Sequence, residues 1–165
     1  AYYPTIKTVK EVDGKRKTVE ESRLPNILFA RGTEEEIKSF VYDNVNLPHL
    51  RFYYRHFHEG ARLIKEPLIV PDYQIEGLKI ICASEAEDVV IVPQAIQKFQ
   101  TGQTVRVIDG VFTGVIGKVA RYHGQQRVAI FIDGLLTIAS AYVPSAFLEV
   151  IKNSGVSANS FTFPK

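Results

Sequence analysis

"GQTVRVIDGVFTGVIGKVARYHGQQRVAIFIDGLLTIASAYVPSAFLEVI", residues 102–151, decides how this chain is read. The stretch is dense in strand formers, yet it carries Gly102, Gly110, Gly114, Gly117, Gly124 and Gly134. Glycine weakens a strand interior, because it costs backbone entropy and offers no side chain to pack. Its uses are sharp turns, bulges and close backbone approaches. Strands this short, interrupted this regularly, predict a small closed or nearly closed sheet that bends at each corner. Alternation points Val105 and Val107 inward and Arg106 outward. Asp109-Gly110 reverses the chain, Phe112 caps the small core, and Gly114 and Gly117 let the next strand bend before Val119 returns to the interior. Val128, Ile130 and Ile132 share a face, and "FLEVI" closes the sheet.

Upstream, the pattern is mixed. "IKTVKEVD" at 6–13 alternates imperfectly, and Asp13-Gly14 turns it into "KRKTVEESRL", a good hairpin signal. Ile27, Leu28 and Phe29 form a short apolar run expected of a covered strand. Thr33 with Glu36 matches a capping box, and Glu34, Glu35 and Glu36 suit the start of a helix dipole. Ile37, Phe40, Val41 and Val45 give that helix, over 33–45, one apolar stripe that ends before Pro48. "LRFYYRHF" at 50–57 and "EPLIV" at 66–70 read as strands, and Pro71-Asp72 open a second helix through Ala83. The order β-β-β-α-β-β-α predicts an α+β layer, with helices on an antiparallel sheet. Residues 85–98 read as a linker, 99–152 as an all-β barrel, and the polar tail 153–165 as mobile.

With 165 residues, 45% of them apolar, the chain can bury ordinary cores, and no run is long enough to span a bilayer. One cysteine, Cys82, cannot form an internal disulfide, which favours a reducing, cytoplasmic setting. The formal net charge of +2 does not drive polyanion binding in bulk. Its distribution leaves room for local contacts: residues 1–31 hold seven Lys/Arg against four Asp/Glu, 32–98 seven against eleven, and 99–152 five against three. His49, His56, His58 and Cys82 have no usual zinc-ligand spacing, so neither metal nor cofactor is expected. There is no nucleophile elbow, phosphate-binding glycine loop or Cys/His pair, and no enzyme is expected.

"GQTVRVIDGVFTGVIGKVARY" resembles the KOW motif, and the upstream residues "YYPTIKTVKEVDGKRKTVEESRLPNILFARG" and "EPLIVPDYQIEGLKII" resemble the N-terminal domain of NusG-type transcription factors. The likeness spans nearly the whole chain. It is strongest to the UpxY-like paralogues of Bacteroides-type bacteria, whose barrels end in strings similar to "SAYVPSAFLEVI". The family's N-terminal domain opens with a strand and a long helix that precede "AYYP", so the resemblance implies an NGN domain over 1–84 lacking its start. It further implies an SH3-like KOW barrel over 99–152, transcription elongation or antitermination as the function, with a dedication to surface-polysaccharide operons, and a monomer with no membrane contact.

The family binds the clamp of RNA polymerase through an apolar face of its first domain. Carried onto matching positions, that role falls on Tyr2, Tyr3, Pro4, Leu24, Pro25, Asn26, Ile27 and Phe29. Ile27 and Phe29 have the core as their alternative place, while Leu24 and Pro25, at the turn, are the better contacts. Family members also reach non-template DNA, and a strand over 51–58 would put Arg51, Tyr53 and Arg55 on one face, a surface for phosphate and base. Phe52 and Tyr54, on the other face, are expected to pack on the first helix. Lys15, Arg16 and Lys17 read as a solvated hairpin tip. In the barrel, Arg106, Arg121, Tyr122, Arg127, Ile132 and Leu135 are candidate partner contacts. The tip that meets Rho or a ribosomal protein in the family reads Ile132-Asp133-Gly134 here, with an acid in place of the aromatic. The competing reading is a KOW-type RNA-binding adaptor that does not bind polymerase.

Overall fold

The structure, a computed structural model, describes residues 1–84, 86, 88–93, 100–132 and 135–152. The expected tail, the tip at 133–134 and half of the expected linker lie outside these residues. The fold is mostly β, with two α-helices and three antiparallel sheets among the described residues.

β1 (Thr5–Val12) and β2 (Lys15–Ser22) form the first hairpin. Asp13 and Gly14 both have positive φ, the turn that two-residue hairpins select. Helix α1 (Glu34–Tyr42) starts on the expected capping box: Glu36 N–H donates to Thr33 Oγ1 at 3.3 Å, and Thr33 N–H donates to Glu36 Oε2 at 2.9 Å. β3 (Tyr54–Glu59) and β4 (Arg62–Pro67) make a second hairpin, and α2 (Asp72–Ala83) follows. β5 (Val90–Pro93), β6 (Gln100–Val107), β7 (Ile116–Tyr122), β8 (Gln125–Ile132), β9 (Leu136–Ala139) and β10 (Leu148–Val150) complete the chain, with a 3-10 turn at Ser145–Phe147.

Three expectations need correction. The upstream strands do not share one sheet; β1–β2 and β3–β4 are separate two-stranded ribbons. Ile27–Phe29 is not a strand: its ladder is the single bridge between Tyr2 and Phe29, because the Leu24–Ile27 turn and the positive φ of Asn26 redirect the backbone. Residues 90–93, a short strand expected to lie within the linker, are instead β5 of the C-terminal sheet. They pair with β9 at the edge of a six-stranded sheet ordered β10-β6-β7-β8-β9-β5, since an apolar Val-Ile-Val run gains both ladder bonds and burial there.

The glycines answer the question posed by their spacing. Pairing of β6 with β7 slips between Thr101 and Thr104, around Gly102. At Gly117 a Cβ would stand 2.5 Å from the Ala129 carbonyl oxygen, so β7 can lie this close to β8 only without a side chain.

Val105, Val107, Phe112, Val115, Val128, Ile130, Ile132 and Ile138 are buried together, as the alternation predicts for the first strands. The same core takes in Leu24 and, from α2, Leu78, Ile81 and Cys82. α2 lies close against the sheet: a Cβ at Gly77 would sit 2.7 Å from the Ile130 δ-methyl. Residues on both sides of the expected linker therefore share one core. The opposite sheet face is packed with small residues, Ala120, Ala129 and Ala139, against Val90 and Phe131.

Candidate contact surfaces

The residues expected to face polymerase divide between core and surface. Tyr2 exchanges backbone hydrogen bonds with Phe29, N–H to O distances being 2.6 and 2.8 Å, and the two rings stack with centroids 6.4 Å apart. The Tyr2 hydroxyl meets the Cys82 thiol; burial first, and then that thiol, push the phenol pKa up. Burial likewise raises the Cys82 thiol, against the opposing hydrogen bond from Tyr2. Pro4 is buried and its carbonyl accepts from Arg23 N–H at 2.9 Å. Leu24 is only 3% exposed. Neither Pro4 nor Leu24 can be a contact in this conformation, because α2 and the sheet close over the turn. Ile27 and Phe29 are half-buried and pack on the core, so the core reading describes them. Tyr3, Pro25 and Asn26 stand exposed, and so does Leu28, at 46%, which the sequence reading left out of the set. Its signal was the alternation itself: flanked by inward Ile27 and Phe29, Leu28 had to point out.

The expected nucleic-acid trio does not form. Asn44, Asn46 and Pro48 spend residues 44–50 in successive turns, Leu47 N–H donating to Asn44 O and Leu50 N–H to Leu47 O at 3.1 Å each. β3 consequently starts at Tyr54, and Arg51 and Tyr53 precede it. Arg51 Nη1 donates to the carbonyls of Pro48 (2.8 Å) and Leu50 (2.6 Å), closing that loop. Tyr53 is exposed. Arg55 is paired with Glu66, and its guanidinium lies 5.0 Å from the centroid of the Phe57 ring. Phe52 and Tyr54 pack on α1 as expected: the Phe52 ring is 5.7 Å from that of Tyr42, and the Tyr42 and Tyr54 hydroxyls are 2.8 Å apart.

In the C-terminal sheet, Arg106 and Arg121 are exposed, and Tyr122 and Leu135 half-buried. Ile132 is buried on the core face. Arg127, expected outside, is 2% exposed. It donates from Nη1 to the Asp88 and Ser140 carbonyls, and from Nη2 to Asp88 Oδ2 (2.9 Å) and Gln125 Oε1 (2.8 Å). Its guanidinium also lies 5.6 Å from the Tyr122 ring centroid. The outward side of β8 is thus covered by the segment leading into β5. Arg127 is a clamp, and Ile132 is core; neither is a docking residue.

Among the described residues no cluster of three or more His, Cys, Asp or Glu could hold a metal ion, and no helix is long and apolar enough to cross a membrane. No protein family, curated protein or solved structure matches the chain.

Proposed function

We propose that this chain acts as a NusG-like transcription elongation or antitermination factor, working by contact and not by covalent chemistry. The observation that carries the reading is the glycine-cornered β6–β10 run, with Val105, Val107, Val128, Ile130 and Ile132 inside and Arg106 and Arg121 outside. Its glycine positions are those of the KOW motif it resembles. A factor of this kind acts by binding the elongating state of its target better than the paused state, which shifts that equilibrium by the difference in affinity. The apolar contact falls on the exposed part of the N-terminal edge, Tyr3, Pro25, Asn26 and Leu28, beside half-buried Tyr2, Ile27 and Phe29. The dedication to surface-polysaccharide operons rests on the "SAYVPSAFLEVI" likeness alone.

The test is co-purification with core RNA polymerase. The intact chain is retained, and Tyr3→Glu with Leu28→Glu releases it without unfolding, because both side chains are about half exposed. A folded chain that ignores polymerase but binds RNA, and loses RNA on Arg106→Glu with Arg121→Glu, establishes the adaptor reading instead. The exposure of those two arginines on adjacent strands is what supports that second reading.

A further inference from the structure

The six-stranded sheet contains a connection that is short for what it joins. β5 is antiparallel to β9, β9 to β8, β8 to β7 and β7 to β6. Four reversals leave β5 and β6, which follow each other in the chain, parallel, with β9, β8 and β7 between them. Parallel strands of one sheet are ordinarily joined by about a dozen residues or more, because the chain must travel back along the strand before it re-enters the sheet. Here Pro93 ends β5 and Gln100 begins β6, so the six residues 94–99 make the whole return.

The register gives the distance to be covered. Pro93 stands opposite Leu136, which stands opposite Ile132 on β8. Gln100 stands opposite Arg121, which stands opposite Gln126 on the same strand. From Gln126 to Ile132 is about 20 Å along a strand, and four strand spacings add about 19 Å across. On a flat sheet the two ends would therefore lie about 28 Å apart by the diagonal. The steps from Pro93 to Gln100 reach at most about 24 Å when fully extended. Within one chain the link closes only if the sheet rolls enough to shorten that path. A tether that barely spans its two sites holds them at a low effective concentration.

What this link tethers is a substantial contact. On its N-terminal side β5 pairs with β9, Asp88 holds the buried Arg127 guanidinium, and Leu78 and Ile81 of α2 lie in one core with Val115 and Ile130. None of these contacts specifies which copy of the chain supplies it. A second copy offers the identical strand, carboxylate and helix, and β5 and β6 of one sheet then no longer have to be joined by the same six residues. We propose that the chain forms a reciprocal two-copy assembly, in which the residues up to Pro93 of each copy dock on the C-terminal sheet of the other, so that Asp88 of one copy completes the Arg127 clamp of its partner. Exchange of an identical element is a low-cost route to a closed dimer, and short links under strain invite it. The assembly carries two N-terminal units, where the family resemblance implies a monomer. It requires neither polymerase nor nucleic acid and stands apart from the function proposed above.

Cysteine pairing separates docking within a chain from docking between chains. Val92 and Thr137 stand directly opposite each other on β5 and β9, so cysteines at the two positions come within disulfide range. In a Cys82→Ala background, which removes the native thiol, Val92→Cys protein and Thr137→Cys protein are denatured, mixed, refolded together and oxidised. The mixture is expected to give a disulfide-linked pair of chains on a non-reducing denaturing gel, and neither variant alone does so. The double variant links chain to chain, and light scattering of the unaltered chain gives twice the 18.6 kDa of one copy. A four-residue Gly-Ser insertion after Ala95 extends the reach to about 37 Å and returns the mass to one copy. Deleting Gln97 and Lys98 cuts the reach to about 17 Å and leaves two-copy particles alone. A one-copy mass for the unaltered chain, no linked pair from the mixture, or a disulfide confined to single chains in the double variant overturns the proposal. So does a two-copy mass that the insertion leaves unchanged, because association then uses another surface. The link-length series carries the test should a cysteine variant fail to fold.

Discussion

Arg127, on the central strand β8, grips Asp88 by both its backbone carbonyl and its carboxylate, while a further Nη1 bond reaches the Ser140 carbonyl at 3.0 Å. One buried guanidinium thereby fastens the approach to β5 and the residue that follows β9 to β8, two strands in from the β5 edge. Truncating it strands two carbonyls that were charge-bonded. Arg127→Ala is expected to cost about 3 kcal/mol, whereas Asp88→Asn, at a side chain that is mostly exposed, costs about 1 kcal/mol. For a chain of this size these correspond to Tm losses of about 9 °C and about 3 °C in a thermal melt. Equal losses in the two variants contradict the clamp.

Gly117 and Gly77 both face crowded neighbours, but of different kinds. An added methyl at 117 meets backbone, the Ala129 carbonyl, while at 77 it meets the movable end of Ile130. Gly117→Ala is expected to destabilise by about 3 kcal/mol. Gly77→Ala is expected to stay within about 1 kcal/mol, since improved helix propensity offsets the displaced methyl. Denaturant unfolding of the pair checks the order.

Leu24 and Leu28, four residues apart, should separate stability from binding. Leu24→Ala empties a core site and is expected to cost about 3 kcal/mol. Leu28→Ala, on the surface, stays within about 0.5 kcal/mol. If Leu24→Ala proves neutral in chemical denaturation, the turn is not buried as described.

The α1 capping box gives a signed pH effect. Hydrogen bonds from the Thr33 backbone N–H, and next from its side chain, hold the Glu36 carboxyl below its ordinary value of 4.5. A depressed folded pKa means that the contribution is complete above that ordinary value and is lost as pH falls through the folded one. Wild type should therefore lose more stability than Glu36→Gln on acidification below about pH 4.5, and the two curves should run parallel at neutral pH. Thr33→Ala is expected to cost about 1 kcal/mol near neutrality.

Much of the architecture is legible in the chain because it depends on local chemistry. Asp13-Gly14 dictates its turn, Thr33 and Glu36 their cap, and Val105, Arg106 and Val107 their sides of β6. What escapes is whatever a distant segment decides. Arg127 alternates outward correctly, yet its outer face is covered by Asp88, and nothing in the sequence of a strand says what lies on its far side. Leu24 sits before a proline at a turn, a position that reads as surface until α2 closes over it. The aromatic run at 52–54 suggests a strand that begins too early, because turns through 44–50 consume residues whose pitch a pattern does not reveal.

The six-stranded sheet ends in short strands: β10 has three residues, and β5, no longer than its partner β9, has four and closes on Pro93. Unpaired strand margins are templates for polymerisation, and brevity with a proline stop is a recognised way of blunting them. The apolar ladder of β6, β7 and β8 is thus sheltered in the middle of the sheet, and self-stacking through its rims is discouraged.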